Sequence, residues 1–404
     1  MTEAYIVATA RSPIGRARKG SLAGIRPDDL AARMVQAAVE AVPGLDPARI
    51  DDLLLGTGQP AGEQGFNLAR IVSVLLGWDT VPGATVNRYC SSSLQTTRMA
   101  FHAIKAGEGD VFVSAGVESV SHYGSGASDI PDAVNPAFAA AIERSAARSA
   151  AGSAPWTDPR RDGLLPDPYI AMGQTAENVA QASGVTREEQ DAFAARSQQR
   201  AEAAIASGFW ARDITPVTLD DGTVVDTDDG PRAGVTAESL ATLDPVFRPD
   251  GTVTAGNCCP LNDGAAAVVI VSGRVVEELG LQPVARIVST GVSGLSPEIM
   301  GLGPVEASRR ALALAGLSID DMDLVEINEA FAAQVIPSAR ELGIDPERLN
   351  VHGGAIAVGH PFGMTGARIT STLLNGLAVT GGRYGLETMC VGGGQGMAMV
   401  VERL

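Results

Sequence analysis

Residues 84–95, ATVNRYCSSSLQ, carry the pattern from which the fold is read. The short apolar run at 84–86 reads as a strand, and the amphipathic stretch after it reads as a helix. A lone cysteine, Cys90, stands in the turn between them. The first N–H groups of a helix lack intrahelical partners and carry partial positive charge, which favours a thiolate, the nucleophilic form, over a thiol. Cys90 reads equally as packing, because free cysteine is among the most buried residue types.

The same alternation runs through the first third of the chain. A strand at 4–9 is followed by a helix at 27–42, opened by Pro27, Asp28 and Asp29 and closed by Pro43-Gly44. A buried strand at 53–56, a helix at 67–76 and a strand at 111–115 ending in Gly116 come next. This order indicates an α/β protein with a largely parallel sheet and helices on its faces.

The last third repeats the first in the same order. IVATARSPIG (6–15) is echoed by IVSTGVSGL (287–295), and Ile50-Asp51-Asp52 ahead of LLLGTG by Ile319-Asp320-Asp321 ahead of DLVEIN. The turn, helix, strand and glycine from Cys90 to Gly116 recur across 359–377, 388–391 and Gly392. The expected organisation is a first half of residues 1–120 plus 251–272, an inserted loop domain at 121–250 and a second half at 273–404. The insert reads as a partly helical cover over an active site. It holds a helix near 136–150, another from Thr186 to 206 with Thr186 and Glu189 as a capping box, and a hairpin at 214–225 turning at Asp221-Gly222. A strand at 265–271 returns the chain to the first sheet.

The net charge of −17, with no Lys/Arg block, argues against nucleic acid and against an anionic membrane surface as partners. Four cysteines, Cys258 and Cys259 adjacent, lack the spacing of a disulfide framework or a metal site. The opening residues show no basic region ahead of a long apolar core, and no apolar run reaches the roughly 20 residues of a membrane span. A reducing cytoplasm is the expected compartment.

Three further segments place reactive groups at the carboxyl ends of strands, where open α/β sheets hold their sites. In LVEINEAF (324–331) Asn328 follows a strand, and a helix cap is its other reading. In GGAIAVGHPFGMTGAR (353–368) His360 lies between Gly359 and Pro361, and reads otherwise as a surface turn histidine. In MCVGGGQG (389–396) Cys390 ends a strand against a glycine run. That run leads into the apolar strand 397–401, so it is no dinucleotide fingerprint.

Together VNRYCSSSLQ, MGQTAENVA (172–180), AGN with NDGAAA (255–257, 262–267), NEAF, GGAIAVGHPFG and CVGGGQG resemble the signature segments of thiolases, in family order across nearly the whole chain. The resemblance implies two similar α/β halves forming five layers, αβαβα, with an inserted loop domain. It implies exchange of acyl groups between 3-oxoacyl-CoA and CoA through an acyl-cysteine, with no metal or redox cofactor. It implies Cys90 as the acyl-carrying nucleophile and His360 as the group that takes its proton and binds the thioester oxygen. Asn328 holds a water that shares that task, Cys390 is the second acid/base, and the backbone N–H groups of Cys90 and Gly392 form an oxyanion hole. It further implies Arg232 at the adenine or phosphate end of CoA and Ser239, Leu243 and Phe247 along the nucleotide and pantetheine path. Met172, Ala255, Cys259 and Phe331 fall near the thioester end. A solvated surface arginine is the other reading of Arg232. A homodimer or homotetramer also follows only from the resemblance, and the segment 131–168 bears on that assembly.

Ser93 stands where many thiolases have glycine, His352 where asparagine is frequent, and Cys258-Cys259-Pro260 in a loop that often carries a serine. The nearest other enzyme reading is a ketoacyl-synthase-like condensing enzyme. Cys390 separates the two, because a decarboxylating synthase needs no second cysteine as base. A non-catalytic acyl-CoA binding protein on the same fold is the reading from outside enzymes; retention of all four reactive side chains speaks against it.

Overall fold

The computed structural model describes residues 3–125, 128–130, 133–152 and 155–404. Pro131, where the segment 131–168 begins, lies outside them. The strands among the described residues are Ala4–Arg11 (β1), Gly15–Arg16 (β2), Asp52–Gly56 (β3), Gly83–Val86 (β4), Val111–Ser119 (β5), Val217–Thr218 (β6), Val224–Val225 (β7), Asn262–Ser272 (β8), Ala285–Gly294 (β9), Leu324–Ile327 (β10), Tyr384–Val391 (β11) and Gln395–Arg403 (β12). All but β6 and β7 belong to one sheet, ordered β10-β11-β12-β9-β1-β8-β5-β3-β4 with β2 attached to β8.

That order exposes the duplication. By position in the chain, the first half runs third, second, fourth, fifth, first from its outer edge. The second half does the same, with Leu349, bridged in parallel to Val325, in the place of a third strand. The first strands of the two halves meet at the centre, where β1 and β9 pair only through Tyr5 with Arg286 and Ile6 with Ala285.

The expectation of a largely parallel sheet is corrected. β3 pairs in parallel with β4 and β5, and β10 with β11, but β8 is antiparallel to β5 and β1, and β12 is antiparallel to β11 and β9. In the second half the cause is the connection before the fifth strand. β11 passes to β12 through the short turn after Val391, and a tight hairpin can join only antiparallel strands.

Alternate residues of the sheet face different layers. In β8, Val268 and Ile270 join one apolar cluster while Val269 and Val271 join another, so the strand is buried on both sides and reads as an unbroken apolar run. The first cluster holds the middle helices Ser92–Ala106 and Thr365–Thr380, through Leu94, Ile104, Ile369 and Leu373. The second holds the outer helices Pro27–Glu40 and Leu68–Leu75. Helices Gly303–Ala315 and Ala332–Leu342 cover the outer face of the second half through Val305, Leu312 and Val335. The result is the five-layer αβαβα arrangement.

The middle helices approach so closely that a Cβ on Gly366 would lie 2.2 Å from the Leu94 nitrogen. Gly116 shows the same constraint, with a Cβ there lying 2.0 Å from the Gly363 carbonyl oxygen. This overturns its reading as the end of a strand. β5 continues through Gly116 to Ser119, because the glycine admits a neighbouring backbone without breaking the ladder. That extension carries Glu118 to the centre of the site.

The segment between β5 and β8 contains helices Ala139–Ala151, Met172–Ser183 and Arg187–Ala206, the last opened by the Thr186/Glu189 capping box. β6 and β7 form the hairpin, with Gly222 at φ +85° in its turn. Glu298 ties this segment to the second half, its carboxylate accepting from Trp156 Nε1 (2.8 Å), Arg144 Nη2 (3.1 Å) and the Asp167 N–H (3.0 Å). No helix among the described residues is long and apolar enough to cross a membrane.

Candidate active site

Cys90 lies in a short 3-10 turn, Tyr89–Ser91, between β4 and helix Ser92–Ala106. The turn is strained, since Tyr89 is held at φ +43°, where its Cβ is crowded. The Asn87 side-chain oxygen accepts from the Tyr89 N–H at 2.7 Å and braces that conformation. The result is a sharp strand-to-helix corner that presents the Cys90 sulfur to a cavity of about 420 Å3. Tyr89, Met172, Phe362 and Gly392 share that lining.

The backbone N–H groups of Gly392 and of Cys90 itself lie near the Cys90 sulfur. Both lower its pKa, but burial outweighs them and pushes it up to about 11. The expected bias toward a thiolate is therefore corrected. Removing the sulfur from water costs the anion more than two amides return, so Cys90 rests as a thiol and needs a base. Cys390 ends β11 two residues before Gly392 and is fully buried; burial first, and then the nearby Cys90, push its thiol well above the ordinary range.

His360 is 1% exposed and therefore no surface turn residue. Its Nδ1 is 2.6 Å from Thr365 Oγ1, which donates in turn to the Pro361 carbonyl at 2.7 Å. Nδ1 therefore carries the proton and Nε2 the free lone pair. Asn328 Nδ2 lies 3.2 Å from Nε2. Burial, reinforced by the buried Arg368 guanidinium, depresses the His360 pKa to about 3, which keeps the ring neutral. Asn328 does not cap the following helix, whose N-cap is Phe331. Its carbonyl accepts from Gln334 Nε2 at 2.7 Å, and its buried Oδ1 has no protein partner.

Two glutamates and an asparagine that sequence reasoning passed over hold the loop carrying His360. Glu329 Oε2 accepts from the Ile356 N–H at 3.2 Å, and Asn262 Oδ1 from the His360 N–H at 3.0 Å. Glu118 Oε2 accepts from the Gly363 N–H at 2.8 Å and the Gly58 N–H at 2.7 Å, and its Oε1 from Gln64 Nε2 at 2.6 Å. Burial raises the Glu118 pKa against these donors. The available signal was a carboxylate closing an otherwise uninterrupted run of small and apolar residues at 111–118.

The residues assigned to CoA fall into two groups. Met172, Phe247, Phe331, Cys259 and Cys390 belong to one apolar cluster, with Phe247 edge-on to Phe331 at 6.2 Å. Cys259 donates its N–H to the Ala330 carbonyl at 3.0 Å, which lays its loop against NEAF. Arg232, Ser239, Leu243 and Ala255 are exposed. The Ser239 hydroxyl is committed to the start of the short helix Ala237–Ala241, donating to the Thr236 carbonyl at 2.8 Å. The Arg232 side chain forms no ion pair among the described residues, and its N–H donates to Gln198 Oε1 at 2.9 Å.

Two unusual positions have plain structural roles. Ser93 Oγ accepts from the Ala367 N–H at 2.9 Å, so a helix of the first half caps a helix of the second. His352 stacks on Phe209 at 3.6 Å and 16°, and burial lowers its pKa to about 4.

Comparison with known proteins agrees with this geometry. The family model described as the thiolase N-terminal domain matches residues 4–274, and that described as the thiolase C-terminal domain matches 281–403. The chain is 44% identical to a 3-ketoacyl-CoA thiolase of Bacillus subtilis, covering 100% of both chains. It is also 44% identical to a beta-ketoadipyl-CoA thiolase of Pseudomonas aeruginosa, covering 100% of this chain and 99% of that one. Among solved structures, the Bacillus anthracis acetyl-CoA acetyltransferase superposes with a TM-score of 0.87 at 40% identity, over 100% of this chain and 99% of the other.

Proposed function

From the premise that the chain belongs to the thiolase family and is an acyl-CoA acyltransferase, we propose how its own residues carry the reaction. One observation carries the reading: Cys390 is buried close enough to Cys90 for that thiol to raise its pKa, and Gly392, two residues beyond it, lines the same cavity as Cys90, so both thiols serve one reacting centre.

In the cleavage direction His360 Nε2 takes the proton of Cys90. The sulfur attacks the 3-oxo carbon, and the C2–C3 bond breaks. The acyl group stays on Cys90 as a thioester, and the electron pair leaves as the enolate of acetyl-CoA. Cys390 gives its proton to that carbanion and removes a methyl proton in the reverse direction. The high pKa of a buried thiol suits protonation of so basic a carbon. CoA then gives its thiol proton to the Cys390 thiolate and attacks the acyl-Cys90; the shortened acyl-CoA leaves, and the Cys90 thiolate takes its proton back from His360.

Two oxyanion sites serve these steps. The N–H groups of Cys90 and Gly392 face the acyl oxygen on Cys90, each worth about 3 kcal/mol in such sites. His360, with a water accepted by Asn328, faces the thioester oxygen of the enolate; the unpartnered, buried Asn328 Oδ1 supports this assignment. The protein groups and the CoA thioesters supply every acid, base and nucleophile in this scheme, without a cofactor.

CoA lies along 232–259, with Arg232 as its cationic contact and the cluster of Met172, Phe247 and Phe331 around the pantetheine end. The protein acts in fatty acid metabolism in the cytoplasm as a homodimer or homotetramer. The outer edge of β4, which no strand among the described residues covers, and Phe66, 96% exposed, support assembly on the first-half sheet.

The test is incubation with acetoacetyl-CoA and longer 3-oxoacyl-CoAs plus CoA, following loss of the substrate enolate absorbance. Turnover and an acyl group located on Cys90 by mass spectrometry are expected. Absence of turnover on every chain length, or a label elsewhere, overturns the assignment.

A further inference from the structure

We infer that Asp129 makes the acyl pocket discriminate against 3-oxoacyl-CoAs that end in a carboxylate, so the preferred acyl chains are neutral ones; the inference rests on the thiolase reading. The cavity at Cys90 extends to a wall of Ile130, Val134, Ile170 and Tyr169. Among the described residues of this lining Asp129 is the one charged side chain, and no Lys, Arg or His shares it. Arg88, the nearest basic residue in sequence to the Cys90 corner, turns its guanidinium to Gln395 Oε1 at 2.8 Å. The sequence repeats the bias: residues 123–142 contain Asp129 and Asp132 and no basic residue.

The carboxylate is held in place. Gln59 Nε2 donates to Asp129 Oδ2 at 2.5 Å, while Gln59 Oε1 accepts from the Ser128 N–H at 2.9 Å and the Ser128 hydroxyl at 2.7 Å. The Gln59 N–H in turn donates to the buried Glu118 at 3.2 Å. Asp129 is thereby anchored to the carboxylate that also holds the His360 loop. It makes no ion pair among the described residues, so its charge faces the pocket uncompensated.

A chain ending in a methyl group meets apolar surface there, whereas one ending in a carboxylate meets a like charge and no counterion. Asp129 is solvent-exposed, so screening limits the effect to about 3- to 10-fold in kcat/KM.

The experiment compares 3-oxohexanoyl-CoA with 3-oxoadipyl-CoA, equal in carbon number and differing only in the terminal group. The wild type is expected to favour 3-oxohexanoyl-CoA in kcat/KM, and Asp129→Asn to narrow that ratio by about 3- to 10-fold. Should the variant not fold, raising salt from about 0.02 M to about 0.5 M is expected to narrow the wild-type ratio, which cancels salt effects on the shared CoA moiety. A wild type that favours 3-oxoadipyl-CoA overturns the inference alone, as does a ratio unmoved by Asp129→Asn or, where that variant fails, by salt. Turnover of neither substrate fails the thiolase reading and this inference with it.

Discussion

Asn328 Nδ2 stands 3.2 Å from His360 Nε2, while the other ring nitrogen is held by Thr365 at 2.6 Å. Asn328 Nδ2 is also 3.4 Å from Nδ1, so it lies against the ring, and the Thr365 contact sets the tautomer of the neutral histidine with its lone pair on Nε2. Removing the ring as His360→Ala should lower the rate of acyl capture by about 10²- to 10⁴-fold. Thr365→Val, which frees Nδ1, should cost about tenfold in kcat with little change in KM, and Thr365→Ser should restore it. Equal rates for the Val and Ser variants would remove Thr365 from this role.

Cys90, with a pKa near 11, should react with iodoacetamide slowly at neutral pH. The thiolate is the reactive form, so the rate should climb about tenfold per pH unit and show no plateau below about pH 10. A plateau near neutrality, read by mass spectrometry of the labelled peptide, would mean that a neighbouring charge overrides burial.

Glu118 receives donors from Gly58, Gly363 and Gln64. Truncation to alanine would leave the buried Gly58 and Gly363 N–H groups without an acceptor, while Gln64 Nε2 keeps Thr57 Oγ1 and the Gln59 carbonyl, so Glu118→Ala should lose about 3 kcal/mol in urea unfolding. Glu118→Gln retains an acceptor oxygen and should lose less. Equal losses for the two variants would argue against the hydrogen bonds as the source.

Ser93→Gly removes the acceptor for the Ala367 N–H. Loss of this cap should lower stability by about 1 kcal/mol. An unchanged or higher midpoint in denaturant would contradict the capping role.

Burial raises Glu326 and Glu387 from 4.5 to about 8. Between those values the folded state binds protons that the unfolded chain releases, so their contribution to stability is complete below about pH 4.5 and is lost as pH rises through about 8. The melting temperature should fall from about pH 6 to about pH 9, and Glu387→Gln, which cannot ionise, should flatten part of that fall. An equally steep decline in the variant would place the titration elsewhere.

Much of the fold was legible because covered sheets and amphipathic helices write their burial into residue order. The duplicated order of elements, the helix at 27–40 and the Thr186 capping box all follow from local pattern. Strand direction was less legible, since parallel pairing was inferred from alternation and the hairpin after Val391 reverses the last strand of the second half. Gly116 misled for a related reason: a glycine marks a turn or a close approach alike, and only the backbone of Gly363 beside it decides which.

The sequence by itself determined the duplicated α/β architecture, and its short motifs singled out Cys90, Asn328, His360 and Cys390 as the candidate reactive side chains. Tertiary structure alone decided their protonation states, because burial is a property of the assembled layers. It decided that Cys90 rests as a thiol, that Glu118, Asn262 and Glu329 hold the His360 loop, and that Asp129 lines the cavity at Cys90. These contacts join residues far apart in the chain, and local pattern carries no signal for them.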